Sequence, residues 1–306
     1  MLHKAQGCFV GLIAGDNLGA HGEFKYKSEV KALYPKGIKD LIPGGVHKIE
    51  AGQPTDDGEM AITLARSIIL NQRFDYNHVY SSYIDWAESE PFDMGLTIGK
   101  ALIHDIYDSK SASNGALMRV APIGIYGANL DLDTVAALAI ADAECTHDNN
   151  IAFETNSIFA RAISLAIKSD ISQRDLFDQM VDWATIPTIR ERMIEAKYNI
   201  PNNMDSYQKG YCLTALQNAM YHLYNTSSFS KAMNDTLKEG GDADTNCAIA
   251  GALLGAVYGI GAIPSQWIDS ITNCKPNEQT RKPRPQHYWP NDVLDLASQL
   301  LELPKP

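Results

Sequence analysis

The sequence predicts an all-α protein that folds as a single domain over residues 1–306. Apolar residues recur at the three- and four-residue spacing of amphipathic helices through most of the chain. Alternating, strand-like patterns are nearly absent, and one short segment at 46–49 is the exception. Proline and glycine punctuate the connections, as in "LIPGGVHK" and "AIPSQW", and no repeat, low-complexity tract or linker divides the chain.

Two amphipathic stripes illustrate the helical pattern, because each places its apolar residues on one face of a helix. The first consists of Met60, Ile62, Leu64, Ala65, Ile68 and Ile69. The second consists of Val135, Leu138, Ala139 and Ala143. The same pattern predicts further helices within residues 151–167, 176–183 and 211–223.

A helix of a different kind is predicted to begin near Thr245. Its small residues recur three and four positions apart and form a smooth stripe of Ala248, Gly251, Ala252, Gly255, Ala256 and Gly259. Such a stripe lets a neighbouring backbone approach closely, and in a membrane it would indicate a dimerisation face. In a chain as polar as this one it favours a central helix of the core.

The composition excludes some functions and compartments. The net charge of -11 argues against general nucleic-acid binding, which needs clustered Lys and Arg. The basic run "RKPRP" at 281–285 is broken by proline and is predicted to be an exposed loop. Five scattered cysteines without a CxxC pair are typical of free thiols in a reducing compartment. The N-terminal apolar run ends at Asp16, too soon for a membrane span, so we expect a cytoplasmic protein without membrane contact.

Two acidic groups stand at the starts of predicted helices that are far apart in sequence. Each group has two aspartates and a threonine, namely Thr55, Asp56 and Asp57 in the first and Asp242, Asp244 and Thr245 in the second. Helix capping is one explanation. Asp56 would then be an N-cap with Glu59 completing a capping box, and Asp244 or Thr245 would cap the second helix.

Capping needs only one side chain per helix, whereas each group offers two carboxylates and a hydroxyl. Oxygen ligands of this kind suit Mg²⁺, Mn²⁺ or Ca²⁺. Four carboxylates brought together without cations would repel one another, and their pKa values would rise. The pattern therefore favours two helix N-termini that meet at a binuclear metal site.

Five ordered blocks make the chain resemble the family of ADP-ribosylglycohydrolases and ADP-ribosyl-acceptor hydrolases. They are "GCFVGLIAGDNLGAHGE", "TDDGEMA", "SNGALMRVAPIG", "THDNNIA" and "GGDADTNCAIAGALLGAVYG", and with "IPSQW" they extend over residues 7–267. The resemblance implies a single orthogonal helical-bundle domain of the ADP-ribosylglycohydrolase type. It also implies a centre of two Mg²⁺ ions, with Mn²⁺ as an alternative, held by the six residues of the acidic groups.

The resemblance further implies which residues would bind ADP-ribose. The glycine loop would line the pocket with Ser113, Asn114, Gly115 and Met118, and His147 and Tyr211 would also contact the ligand. Each residue has a plainer interpretation. The loop could be a turn with Met118 in the core, His147 an ordinary residue at a helix start, and Tyr211 a half-buried core side chain.

The implied reaction is hydrolysis of the bond between ribose C1″ and an acceptor side chain of an ADP-ribosylated protein or peptide, with ADP-ribose as product. A carboxylate of Glu23, Asp56 or Asp57 would act as general base or general acid. Glu23 lies where some family members carry a catalytic glutamate, although the sequence alone indicates an exposed loop acid. The segment "PGGVHKIEAGQPTDDGEM" favours arginine as acceptor, and a monomer is expected.

Three alternatives remain open. The first is a hydrolase for serine-linked ADP-ribose. The second is a non-catalytic ADP-ribose-binding or structural protein, like lens crystallins that resemble the family, although all six candidate ligands are present. The third is a terpenoid synthase, which the spacing disfavours because Glu59 is one residue too close for a DDxxD motif and no second motif follows.

Overall fold

The computed structural model describes residues 1–202 and 204–304, and in this part of the chain all regular structure is helical. The all-α prediction is confirmed. Residues 46–49 form a turn closed by hydrogen bonds between Gly44 and Ile49, and not a strand. The α helices are α1 (Leu2–Gly19), α2 (Lys27–Leu33), α3 (Asp56–Asn71), α4 (Tyr76–Glu88), α5 (Leu96–His104), α6 (Ala121–Tyr126), α7 (Leu132–Glu144), α8 (Asn150–Lys168), α9 (Gln173–Trp183), α10 (Pro187–Glu195), α11 (Cys212–Asn225), α12 (Phe229–Leu237), α13 (Ala243–Tyr258), α14 (Ser265–Thr272) and α15 (Val293–Glu302).

The apolar stripes mark the helices as expected. The two stripes lie in α3 and α7, and the three further periodic runs lie in α8, α9 and α11. The five cysteines are buried free thiols, as predicted. No helix in the described part of the chain has both the length and the apolar character needed to cross a bilayer.

The centre of the fold is the pair of helices α1 and α13. A Cβ atom placed on Gly255 of α13 would lie 2.0 Å from the carbonyl oxygen of Gly7 in α1, and one on Gly251 would lie 2.1 Å from that of Gly11. Backbones this close leave no room for any side chain at these positions. The small-residue stripe of α13 therefore allows close backbone contact, as predicted, and the partner is a matching glycine series in α1.

Replacement of Gly255 by alanine should force these two helices apart. Because the added methyl group would meet backbone and not a flexible side chain, we expect the free energy of unfolding to fall by about 3 kcal/mol. Gly99→Ala in α5 is the control, since its Cβ would meet only the Met94 side chain, and helix propensity favours alanine. Chemical denaturation of both variants measures the difference, and equal stabilities would contradict the packing described for α1 and α13.

The basic segment at 281–285 departs from the exposed loop expected. Arg281 is exposed, but Arg284 is buried, and its guanidinium donates to both carboxylate oxygens of Glu59 at 2.8–3.1 Å. It also donates to Ser89, and Trp86 donates to Glu59 at 2.8 Å. The prediction was wrong for Arg284, because proline-rich sequence gave no sign that a buried glutamate in α3 requires a cation there.

Loss of this cation should be costly. In Arg284→Met the Glu59 carboxylate would remain buried without its partner, so the free energy of unfolding should fall by about 3 kcal/mol. Arg281→Met removes the same charge from an exposed site of the same segment and should change stability little. Urea unfolding of the two variants tests this, and a stable Arg284→Met protein would show that the ion pair does not hold the segment.

Candidate active site

A cavity of about 530 Å³ opens where the N-termini of α3 and α13 meet, which is a size typical of small-molecule sites. Its walls come from the segment after α1, the start of α3, the N-terminal half of α5, the glycine loop and the segment before α11. The residues predicted for the site that line it are Glu23, Asp56, Ser113, Asn114, Gly115, Met118, Tyr211, Asp242, Asp244 and Thr245. Thr55, Asp57 and His147 are buried behind this surface.

The N-terminus of α3 is capped by a residue from another helix. Thr55 is the N-cap residue by position, but Asp16 of α1 accepts hydrogen bonds from the backbone N–H of Thr55 at 2.9 Å and of Gly58 at 3.0 Å. The alternative explanation, with Asp56 as the N-cap and Glu59 completing a capping box, is wrong. Because Asp16 accepts from these backbone N–H groups, the carboxylates of Asp56 and Asp57 are not needed to cap the helix.

The N-terminus of α13 is arranged in a similar way. Asp242 is the N-cap residue by position, and the backbone N–H of Ala243 donates to Oε2 of Glu23 at 2.8 Å. Asp244 and Thr245 lie in the first turn, where the Thr245 N–H donates to Oδ1 of Asp244 at 2.8 Å. The alternative explanation, with Asp244 or Thr245 as the N-cap residue, is therefore wrong as well. Glu23 is buried, not the exposed loop acid that the sequence alone indicated.

Asp57 connects the two acidic groups. Its Oδ2 lies 3.1 Å from the Thr55 hydroxyl and 3.4 Å from the Thr245 hydroxyl, which belongs to the other helix. Its Oδ1 is buried and has no hydrogen-bond partner among the described residues. Glu23 lies beside the second group. One carboxylate oxygen from each of Glu23, Asp242 and Asp244 is within 4.8 Å of the other two.

Burial and crowding raise the pKa values of the carboxyl groups at this junction. Burial is the largest cause in each case, and neighbouring carboxylates add to it. For Asp242 burial and then Asp244 raise the pKa to about 7, against a smaller opposing effect of the hydrogen bond from Asn114. The groups with raised pKa values are Asp16, Glu23, Asp56, Asp57, Asp242 and Asp244.

These features fit a site for divalent cations. A buried carboxylate oxygen without a partner and several carboxylates that repel one another are both unfavourable in the protein alone. A hard cation would supply a ligand contact to Asp57 Oδ1 and neutralise the crowded charge. The residues present could therefore hold metal ions of the Mg²⁺ or Mn²⁺ type.

The glycine loop and Tyr211 form a wall of the cavity beside the acidic residues of α13. An isolated antiparallel bridge joins Ser113 to Tyr211, and the Asn114 N–H donates to the Gly210 carbonyl at 3.0 Å. The Asn114 side chain donates to Asp242 Oδ2 at 2.5 Å, so this wall is tied to the acidic group of α13. Met118 is buried, and part of it still faces the cavity.

His147 lies one layer further from the cavity than expected. Its Nε2 is 2.8 Å from the Ser113 hydroxyl, and its Nδ1 is 2.8 Å from the Thr146 hydroxyl. Burial, and after it the charge of Arg119, lower the pKa of His147 to about 3, so the ring is neutral. It is a buried histidine that contacts the wall from behind.

Several residues at the cavity were not anticipated from sequence. Asp93 lines the cavity, and its Oδ2 is 3.0 Å from Nε2 of His47. Atoms of Asp93, His47 and Asp244 come within 4.8 Å of one another and form a further group that could hold a metal ion. Lys209 contributes a cation to the lining and lies over the Phe24 ring.

Comparison with known proteins decides the relationship. The family model for ADP-ribosylglycohydrolases matches residues 1–305. The chain belongs to the ADP-ribosylglycohydrolase family. It is 28% identical to the ADP-ribosyl-[dinitrogen reductase] glycohydrolase of Rhodospirillum rubrum, an alignment that covers 88% of this chain and 90% of the relative. It is 25% identical to the ADP-ribosylarginine hydrolase Tri1 of Pseudomonas putida (strain GB-1), covering 98% of this chain and 78% of the relative.

The fold agrees with that of the family. A solved structure described as an ADP-ribosylglycohydrolase-related protein complex superposes with a TM-score of 0.77 at 25% identity, covering 99% of this chain and 98% of that one. The family resemblance, the fold class and the ADP-ribosyl hydrolase class are confirmed. The roles of the individual site residues, the single domain and the monomeric state stay predictions.

Proposed function

We propose that this ADP-ribosylglycohydrolase is a dimetal-dependent enzyme that removes ADP-ribose from modified arginine side chains. The observation that carries the proposal is the convergence of five carboxylates, those of Glu23, Asp56, Asp93, Asp242 and Asp244, on one cavity of about 530 Å³. A cavity of this size could admit the ribose and part of the nucleotide. Its acidic side would face the bond to be broken.

The two acidic groups would hold the metal ions. Their six residues are Thr55, Asp56, Asp57, Asp242, Asp244 and Thr245, and Asp57 bridges them through contacts to both threonines. Bound Mg²⁺ or Mn²⁺ would supply Lewis-acid chemistry, by orienting the ribose hydroxyls and lowering the pKa of a water molecule. Asp16 and Glu23 would hold the two helix ends in place through the backbone N–H groups that they accept.

Proton transfer would fall to the carboxyl groups outside the ligand sets. Hydrolysis breaks the bond between C1″ and the guanidine nitrogen, joins the oxygen of water to C1″, and moves one proton of that water to the departing nitrogen. Glu23 and Asp93 line the cavity and are not among the proposed ligands. Burial is the largest cause that raises the pKa of Glu23, and a raised pKa favours the protonated form that a general acid needs.

The rest of the substrate would lie along the wall formed by the glycine loop and Tyr211. Ser113, Asn114 and Gly115 offer small side chains and polar groups beside the cavity, and Tyr211 offers an aromatic face. These are groups that could contact the diphosphate and a sugar or base, respectively. The residues nominated from the family resemblance would all take part, with His147 acting through Ser113 and not by contact.

Charge supports arginine as the acceptor. A guanidinium attached to the ribose carries a positive charge, and besides the proposed metal ligands the lining of the cavity has two carboxylates, those of Glu23 and Asp93, against one lysine. A serine oxygen would bring no charge to offset them. The relatives in Rhodospirillum rubrum and Pseudomonas putida, one named for dinitrogen reductase and the other for ADP-ribosylarginine, are consistent with this choice.

The acceptor can be tested with two matched peptides, one ADP-ribosylated on arginine and the other on serine. With Mg²⁺ present we expect free ADP-ribose to appear at least about tenfold faster from the arginine peptide, a difference worth about 1.4 kcal/mol in the barrier. Asp93→Asn should slow this release by roughly 10²-fold, as expected for loss of a group that transfers protons. Asp269→Asn, on the exposed side of α14, is the control that should not change it. Faster release from the serine peptide would overturn the proposed acceptor.

A further inference from the structure

A chain of buried hydrogen bonds runs behind the cavity wall and ends at a side chain that lines it. Arg119 donates from Nη1 to the Thr146 hydroxyl at 2.9 Å. That hydroxyl lies 2.8 Å from Nδ1 of His147, and Nε2 of His147 lies 2.8 Å from the hydroxyl of Ser113. Arg119, Thr146 and His147 are buried, and Ser113 faces the cavity.

The direction of these hydrogen bonds follows from the donor and acceptor capacity of each group. A guanidinium can only donate, so the Thr146 oxygen must accept from Arg119. Among the described residues the other neighbour of that hydroxyl is Nδ1 of His147, which leaves this nitrogen as the acceptor for the hydroxyl hydrogen. The ring proton of a neutral His147 then lies on Nε2 and points to Ser113.

The surroundings favour the same arrangement. Arg119 is fixed by Asp142, since Nε donates to the carboxylate at 3.2 Å and Nη2 donates to the Asp142 carbonyl at 2.8 Å. Burial and the Arg119 charge keep His147 neutral, with a pKa of about 3.

We propose that Arg119 and Thr146 are positioning residues that hold His147 in the Nε2–H tautomer, so that Ser113 can donate its own hydroxyl hydrogen into the cavity. Within residues 1–202 and 204–304, Ser113 Oγ has no hydrogen-bond partner other than His147. Since that oxygen accepts from Nε2, its hydrogen is available to an acceptor in the cavity. With the opposite tautomer, Ser113 would donate to His147 and present only lone pairs, which repel an anion.

The ligand class follows from this polarity. A fixed neutral donor suits an anionic oxygen, and the proposed function supplies one in the diphosphate of ADP-ribose. The inference rests on the proposed function for the identity of the ligand only. The tautomer of His147 is a property of the protein without ligand, and it can be measured independently of activity.

Long-range ¹H–¹⁵N spectra of the ligand-free protein report the tautomer directly. The signals of His147 are identified by their absence from His147→Asn. We expect the pattern of a neutral imidazole protonated at Nε2, unchanged between about pH 5 and pH 8 because the pKa of His147 lies near 3. A ring protonated at Nδ1 would overturn the proposal, whatever the protein binds.

Binding of ADP-ribose tests the consequence. Thr146→Val removes the hydroxyl that fixes the tautomer and should weaken ADP-ribose binding about tenfold, while adenosine, which lacks the diphosphate, should lose none of its affinity. Thr146→Ser should restore binding. Thr236→Val, at another buried threonine with a hydrogen-bonded hydroxyl away from the cavity, is the control that should have no effect.

Equal affinity of wild type and Thr146→Val for ADP-ribose would overturn the positioning role. A wild-type protein that binds no ADP-ribose would overturn the proposed function, and the spectrum of His147 would then decide by itself whether the tautomer is held as inferred.

Discussion

Replacement of Asp57 by asparagine should nearly abolish ADP-ribose release and, in the same protein, raise the stability of the metal-free state. Asp57 contacts the threonines of both acidic groups and has a buried oxygen without a partner. Loss of a carboxylate proposed to hold metal should remove several kcal/mol of transition-state stabilisation, so release should fall about 10³-fold or more.

The gain in stability is expected because an ionised Asp57 is unfavourable when no metal is bound. Without metal, burial and then the charges of Asp16 and Asp244 disfavour ionised Asp57. A neutral asparagine of the same shape avoids that cost, so the metal-free variant should be more stable than wild type at neutral pH. Mg²⁺ should raise the melting temperature of wild type and not of the variant. The exposed Asp269→Asn protein should behave as wild type in both respects, and an inactive variant that is less stable without metal would point to misfolding.

Without metal, the free energy of unfolding of the wild type should fall relative to that of Asp242→Asn as the pH rises from about 4 to about 7. The ordinary pKa of aspartate is 3.8, and burial together with Asp244 raises that of Asp242 to about 7 in the folded protein. Between these values the folded state binds more protons than the unfolded state, so a rise in pH favours unfolding. The difference between the two pKa values, 3.8 and about 7, lowers the free energy of unfolding by roughly 4 kcal/mol at neutral pH.

Denaturant unfolding of wild type and Asp242→Asn, with chelator at several pH values, measures this effect. Buried histidines such as His147 and His222 act in the other direction, since their pKa values are lowered to about 3 and about 4, but their contribution is the same in both proteins. The difference between the two proteins should grow up to about pH 7 and then level off, and Mg²⁺ should remove it. A stability difference that does not change with pH would show that the pKa of Asp242 is not raised in the metal-free protein.

The sequence was sufficient for the fold class and for the convergence of the two acidic groups. Periodicity located α3, α7, α8, α9 and α11, because it reflects the burial of one helix face. The two acidic groups were informative for a different reason, since two carboxylates and a hydroxyl at one helix start exceed what capping needs. The structure brings these groups together at the cavity through Asp57 and Thr245.

Features that depend on contacts between distant segments could not be predicted from the sequence. Asp16 caps α3 from α1, and Glu23 caps α13 from the segment after α1, and neither contact has a local pattern. Asp16 carries one local signal, as an acid that ends an apolar run, but that signal does not indicate that it caps a distant helix. Asp93 carried none, since its place beside His47 and Asp244 arises from the packing of three loops or helix ends. Arg284 was misjudged for the same reason, because its partner Glu59 is 225 residues away.

The most direct test is a Mg²⁺ titration of chelator-treated protein, with release of free ADP-ribose from an ADP-ribosylarginine peptide as the readout. We expect no release after chelation, full recovery with Mg²⁺, and no recovery in Asp57→Asn at any Mg²⁺ concentration. Release that persists in chelator, or that Asp57→Asn retains, would show that the acidic groups at the starts of α3 and α13 do not hold a metal on which hydrolysis depends.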